Sequence, residues 1–142
     1  MAYTQVRVLG WHWLASLASL NEGIGMPFFD YRQNNSGGGF DFDDDKGVSL
    51  TVIIEADSAE EANDKAQSIG LYFDGAGDCS TCGYRWSDAY GKGDDVPSDY
   101  GTPISDTDFG WYRNWAKPHP VAYVHFADGL VQAYGLPEKE LN

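Results

Sequence analysis

The stretch Val48-Ser49-Leu50-Thr51-Val52-Ile53-Ile54-Glu55-Ala56-Asp57-Ser58-Ala59-Glu60-Glu61-Ala62-Asn63-Asp64-Lys65-Ala66-Gln67-Ser68-Ile69-Gly70-Leu71-Tyr72-Phe73 decides the fold reading. Val48 to Glu55 is rich in β-branched and apolar residues, which predicts a strand with its Val52-Ile53-Ile54 run in the core. Ser58 can cap a helix, and Glu61, three residues on, can complete a capping box. That helix spans residues 58–69 through Ala62, Ala66 and Ile69 and stops at Gly70. Leu71-Tyr72-Phe73 then returns to extended structure. Strand, helix and strand over about 25 residues predict an α+β or split-βαβ arrangement.

The flanks extend this frame. Residues 3–9 alternate polar and apolar, as a half-buried strand does. Residues 11–20 place Trp13, Leu14, Leu17 and Leu20 at helical spacing, a short N-terminal helix. Phe28 to Gln33 predicts a strand, Asn34 to Gly39 a loop, and Phe40 to Asp43 a return strand before the Asp44–Gly47 turn. Between residues 74 and 109, Gly, Asp, Ser and Pro dominate and Tyr84-Arg85-Trp86 alone has strand character. A loop of this length carries a function or a local staple. Residues 121–134 form a hairpin turning at Ala127-Asp128-Gly129, and 136–142 is a frayed tail. The expected architecture is one small α+β domain over residues 1–142. It has a mostly antiparallel sheet, one main helix (58–69), the short helix (11–20), a long 74–109 loop and residues 1–25 as an extension.

Composition bounds the function classes. The 142 residues carry 22 Asp+Glu against 9 Lys+Arg, a net charge of -13, and 16 of the acids are Asp. Asp favours turns and caps, so the acidity is expected mainly in loops. So negative a field repels phosphate backbones and excludes general nucleic-acid binding. No apolar run reaches the roughly 18 residues of a membrane span. The Val8–Ala18 segment contains His12 and is preceded by Arg7 alone, so an intracellular location is expected over secretion.

Several blocks occur in one order: residues 29–38, residues 54–63, residues 69–75, Asp78-Cys79, Cys82-Gly83, Arg85-Trp86 and residues 123–129. In that order the chain resembles a family of small uncharacterised proteins encoded mainly by tailed bacteriophages, over about residues 26–135. Members of that family tend to carry a further Cys where this chain has Thr81. The resemblance implies the cytoplasm of an infected bacterial host as the setting and implies no activity.

Candidate chemistry is sparse. Cys79-Ser80-Thr81-Cys82 is a C-x-x-C pair that could join His119 and His125 in a structural zinc site, pack as reduced thiols, or form a disulfide. No cofactor is expected unless that pair holds a structural zinc. Asp41-Phe42-Asp43-Asp44-Asp45 has alternating carboxylates, but Lys46 and Val52 stand where a calcium loop needs Gly and Glu. Arg32, Asn34, Asn35, Ser36 and Gly37 could converge on an anion, with glycine amides as a nest. Arg85-Trp86 and Arg113 between Trp111 and Trp115 interleave cations with rings, as stacked bases prefer. No catalytic motif is present, so a non-enzymatic binding protein is expected. Its ligand is a small anion, foremost a nucleotide-type signal of host antiviral defence. The alternatives are an acidic inhibitor of a basic host protein through nucleic-acid mimicry, and a virion component. Self-association is compatible with each.

Overall fold

The computed structural model describes residues 25–136 and the backbone of Thr4–Val6. The helix expected over 11–20 and the tail over 137–142 lie outside the described residues. Strands β1 (Thr4–Val6), β2 (Phe28–Arg32), β3 (Thr51–Glu55), β6 (Ala122–His125) and β7 (Val131–Tyr134) form one sheet in the order β1-β7-β6-β3-β2. Every neighbouring pair is antiparallel except β3 with β6. Two short strands, β4 (Ser98–Asp99) and β5 (Thr102–Pro103), form a separate ribbon. Helices α1 (Ala59–Ser68) and α2 (Gly110–Ala116) complete a small α+β domain.

The buried run Val52-Ile53-Ile54 places β3 in the middle. All of β3 is buried, and the strand pleat sends successive side chains to opposite faces. Val52 and Ile54 pack with Phe29 and Tyr31 of β2, Ala62 and Ala66 of α1, and Trp86. Ile53 faces the other way, among Phe28, Val124, Phe109 and Ala116. Helices therefore cover both faces of the sheet. The alanines on α1 let its backbone approach the sheet closely, while Ser58 Oγ accepts the Glu61 N–H at 3.1 Å. The Glu61 carboxylate accepts the N–H of Asp57 at 2.8 Å, one residue earlier than in a standard capping box.

Several expected strands are absent, each for a physical reason. Leu71-Tyr72-Phe73 is irregular because β2 and β6 already occupy both edges of β3. The Leu71 N–H instead bonds back to Ala66 O at 3.0 Å, closing the end of α1. No return strand forms over 40–43, because the Gln33 side chain takes the place of a strand partner. Its amide donates to Asp41 O and Ser49 O at 2.9 and 3.1 Å and its carbonyl accepts the Asp41 N–H. Tyr84-Arg85-Trp86 is not a strand either, since Trp86 turns into the core at 1% exposure. The 74–109 segment is not without structure: it holds the β4–β5 ribbon and a 3₁₀ turn over Ile104–Asp106. Helix α2 replaces what looked like a ring-rich binding patch. Its Ala116, with Phe109 just before it, is buried while Trp111 and Trp115 stay largely exposed.

Burial at β3 and the α1 cap should therefore differ in worth. Ile53→Ala is expected to lower the unfolding free energy by about 3–4 kcal/mol, and Ser58→Ala by about 1 kcal/mol. Urea unfolding of the full chain checks both, and similar losses for the two would contradict this assignment of the core.

Candidate functional site

Two neighbouring residues, Arg85 and Trp86, organise the surface on either side of them. Trp86 is anchored beneath α1. The Arg85 side chain is only 12% exposed, and chain groups surround its guanidinium. Nη1 donates to Gln33 Oε1 at 3.0 Å and to Gly39 O at 2.8 Å, and Nη2 donates to Ser36 O at 2.9 Å. Nε donates to the Tyr72 hydroxyl at 3.2 Å and lies 3.2 Å from the Asp41 carboxylate. Asp78 closes the ring by accepting the Arg85 N–H and the Tyr72 O–H, each at 2.7 Å. The Arg85 backbone N–H, foremost, holds the Asp78 carboxyl below the usual carboxylate range. One planar fork thus fastens the glycine turn to the 72–85 segment.

Of the residues expected to form an anion nest, Asn34 and Ser36 are absorbed by this clasp, while the buried Asn35 Oδ1 has no hydrogen-bond partner among the described residues. Asn34 donates to Cys82 O at 2.9 Å and Tyr84 O at 3.2 Å, and Ser36 Oγ accepts the Cys79 N–H at 2.8 Å. Arg32 lies elsewhere, paired with Asp99 at 3.0 Å. Arg113 sits on α2, whose Trp115 meets Phe40 edge-on. Trp86 is inside the core and offers no face for stacking. Arg32 and Arg85 therefore serve separate partners and do not form one anion pocket.

The zinc set expected from Cys79, Cys82, His119 and His125 is not gathered. His119 Nδ1 lies 2.7 Å from Asp44, which also accepts the Tyr123 O–H at 2.7 Å, and its ring stacks on Phe42. His125 Nε2 is bonded to Gly47 O at 2.8 Å, and burial pushes its pKa below the ordinary value. Among the described residues, no group of three or more His, Cys, Asp or Glu side chains is placed to hold a metal. Within the Asp41–Asp45 run, Asp43 caps the turn at the Lys46 N–H and Asp44 holds His119 and Tyr123.

On the other side of Trp86, the chain runs along the outer edge of β2 and encloses an open groove of about 520 Å³. Its walls include Asp30 and Arg32 of β2, Asp88, Tyr90 and Asp94 of the 87–94 segment, and Tyr100 at the ribbon tip. Three anchors hold that wall. Asn63 of α1 accepts the Tyr31 O–H and the Ala89 N–H, each at 2.8 Å, and donates to Ala89 O. Asp94 and Phe28 exchange backbone hydrogen bonds at 2.8 Å. Gly93 permits that approach, since a Cβ there would lie 2.8 Å from Phe28 O.

The groove is electrostatically one-sided. Burial, then the charges of Asp30 and Asp95, push the Asp94 carboxyl above its ordinary pKa. Burial, then Asp88 and Asp30, push the Tyr31 phenol up as well. Asp99 is also raised, because burial outweighs the attraction of Arg32. Arg32, the one arginine in the walls, stacks 4.5 Å from the Tyr100 ring centroid and 5.3 Å from that of Tyr112. Tyr100 holds a left-handed backbone at φ 52°, a strained setting for a bulky residue, yet its ring is 77% exposed. Its N–H is held by Asp30 at 3.2 Å.

Sequence reading missed Asp30, Asp88, Asp94 and Tyr100. The available signal was the Asp-Tyr-Gly of residues 99–101, a two-residue hairpin with Gly second. No helix among the described residues is long and apolar enough to cross a membrane. Residues 26–142 match the model of a family described as Domain of unknown function (DUF7296). No curated protein and no solved structure matches the chain.

Two outcomes follow for the residues reassigned above. Arg85→Lys keeps the charge but loses the fork, and should cost about 3 kcal/mol while opening residues 34–41 to limited proteolysis; unchanged stability would remove the clasp's role. Burial lowers the His125 pKa in the fold, so below its ordinary value of 6.5 the unfolded chain binds more protons and stability falls with falling pH. His125→Gln keeps a donor toward Gly47 O and should flatten that acid slope by at most about 1.4 kcal/mol per pH unit. Thermal melts between about pH 7 and pH 5 read the difference.

Proposed function

The chain belongs to that family of unknown function, and from the groove's own chemistry we propose that it is a non-catalytic binding protein whose groove takes a lysine or arginine side chain of a basic partner protein. The observation that carries this reading is the lining of Asp30, Asp88 and Asp94 together with the rings of Tyr90 and Tyr100. A cation entering there meets several carboxylates at once and offsets both the burial that chiefly raises Asp94 and the repulsion from Asp30 that adds to it. Rings complement it, because cations are drawn to aromatic faces. The chain recognises its own Arg32 in this manner, with Asp99 at its edge and Tyr100 and Tyr112 on its faces.

The net charge of -13 adds long-range steering toward cationic partners. The resemblance to phage-encoded proteins supports a basic host factor of an infected bacterial cell as that partner. Capture of a nucleotide-type signal has less support, because Arg32 is engaged by Asp99 and Arg85 by Asp41 and chain carbonyls. The strain at Tyr100 fits a binding role: stability is given up to display a ring.

Calorimetry of the full chain against a panel of Lys- and Arg-containing peptides and of cyclic nucleotides tests the reading. Basic peptides should bind, with affinity falling roughly tenfold between about 50 and 200 mM salt. Asp88→Asn should weaken binding by about tenfold, equivalent to about 1.4 kcal/mol. Tyr100→Asn should weaken binding without lowering the melting temperature, since Asn tolerates the left-handed backbone. Affinity should also drop as pH approaches the carboxylate range, Asp94 protonating early. Heat with a nucleotide and none with any basic peptide would overturn the proposal.

A further inference from the structure

Strand β2 ends the sheet order, so one of its edges faces away from β3. Which backbone groups point there follows from the pairing with β3. Just outside β2, the Gln33 N–H donates to Leu50 O at 2.8 Å and Pro27 O accepts the Ala56 N–H at 3.1 Å. In an antiparallel pair such bonds recur at every second residue. Phe29 and Tyr31 therefore direct their N–H and C=O groups at β3, while Phe28, Asp30 and Arg32 direct theirs outward. The outer contacts agree: Phe28 exchanges both its bonds with Asp94, and the Asn34 N–H donates to Arg85 O, all at 2.8 Å. Between these two closures, the outward groups of Asp30 and Arg32 have no backbone partner among the described residues.

The groove opens on this gap in the ladder. Phe29, Asp30, Tyr31 and Arg32 all line it, although their side chains alternate between the two faces of the sheet. What the four share is the strand edge, which is thus the groove's floor. Carboxylates stand on both sides of it. Asp94 is bridged opposite Phe28, and opposed residues share a face, so Asp94 lies on the face of Asp30 and Arg32. Tyr100 joins them there, its N–H held by the Asp30 carboxylate. Asp88 stands on the other face, beside the Ala89 that Asn63 ties to the Tyr31 hydroxyl.

From this geometry we infer that the groove takes its basic partner as a short added strand: three extended residues, in the order neutral, basic, basic, pair antiparallel with Asp30 and Arg32. The inference rests on the cation-binding reading of the groove and specifies the form of the occupant. One partner residue exchanges both backbone bonds with Asp30, and the residue two positions earlier exchanges both with Arg32. Three residues thus meet all four open groups, well within the roughly 20 Å of strand between Phe28 and Asn34. The residue opposite Asp30 points its side chain at Asp30, Asp94 and Tyr100, and the middle residue points at Asp88, so both are Lys or Arg. The residue opposite Arg32 meets a guanidinium already paired with Asp99 and carries no charge. In strand addition the main-chain bonds supply affinity and the alternating side chains specificity.

The test titrates the full chain with an acetylated, amidated peptide centred on Val-Lys-Arg and follows backbone amides by NMR. Methylating the peptide nitrogen of Val or of Arg removes a donor aimed at β2 and should weaken binding about tenfold. Methylating that of Lys, which points away from β2, should change little. The order Lys-Val-Arg keeps the charge and should bind more weakly than Val-Lys-Arg. Bound peptide should slow hydrogen exchange at the Asp30 and Arg32 amides and leave those of Phe29 and Tyr31 as they were. Binding indifferent to methylation at every position would overturn this inference and leave the cation-binding reading standing, whereas no binding by any basic peptide would overturn both. A mass doubled in light scattering without peptide, with the Asp30 and Arg32 amides protected, would give the edge to a second copy and overturn it too.

Discussion

The Arg85 guanidinium is the constraint on which the irregular half of the molecule depends. It is a nearly buried cation whose desolvation must be offset by several charge-assisted hydrogen bonds at once. Those bonds come from Gln33, Ser36 and Gly39 on one side and Tyr72 on the other. Meeting them fixes the relative position of two segments about fifty residues apart in sequence, as the 46- to 52-residue separations of the Gly39, Ser36 and Gln33 contacts record. Trp86, the next residue, is driven into the core by its apolar area. Together they set where the chain leaves the clasp and begins the wall of the groove.

Asp is so abundant because it does several jobs. Asp43 caps a turn, Asp44 ties His119 to Tyr123, and Asp78 completes the Arg85 ring. These carboxylates are locally compensated. Asp30, Asp88 and Asp94 instead share one concavity. The charge that matters for recognition is therefore a small subset of the total.

The regular half was legible because its signals are local. The Val52-Ile53-Ile54 run, the Ser58 cap, the Ala62–Ala66 spacing and the 121–134 hairpin each concern neighbours within a turn or two, and each forms near where the residues predicted. Leu71–Phe73 and Phe40–Asp43 were misread as strands because strand pattern says nothing about whether a sheet edge is free. Helix α2 was hidden by its rings, whose helix propensity is modest. At the site, Arg32, Asn34, Ser36, Gly37 and Arg85 were singled out as polar or flexible residues near one another in kind. The structure brings Asn34 and Ser36 against the cysteine turn, ties Arg85 to the same loop and sends Arg32 to the groove.

By itself the sequence determined the α+β class, the central strand, the main helix and its caps. Those follow from short-range periodicity and capping chemistry, which need no tertiary contacts. Only the tertiary structure decided which arginines are spoken for, that His119 and His125 stand apart from the cysteines, and that Asp30, Asp88, Asp94 and Tyr100 line one groove. The physical reason is that hydrogen-bond partners and cavity walls are chosen among residues far apart in the chain. Composition records their number, and only the packed fold sets their distances.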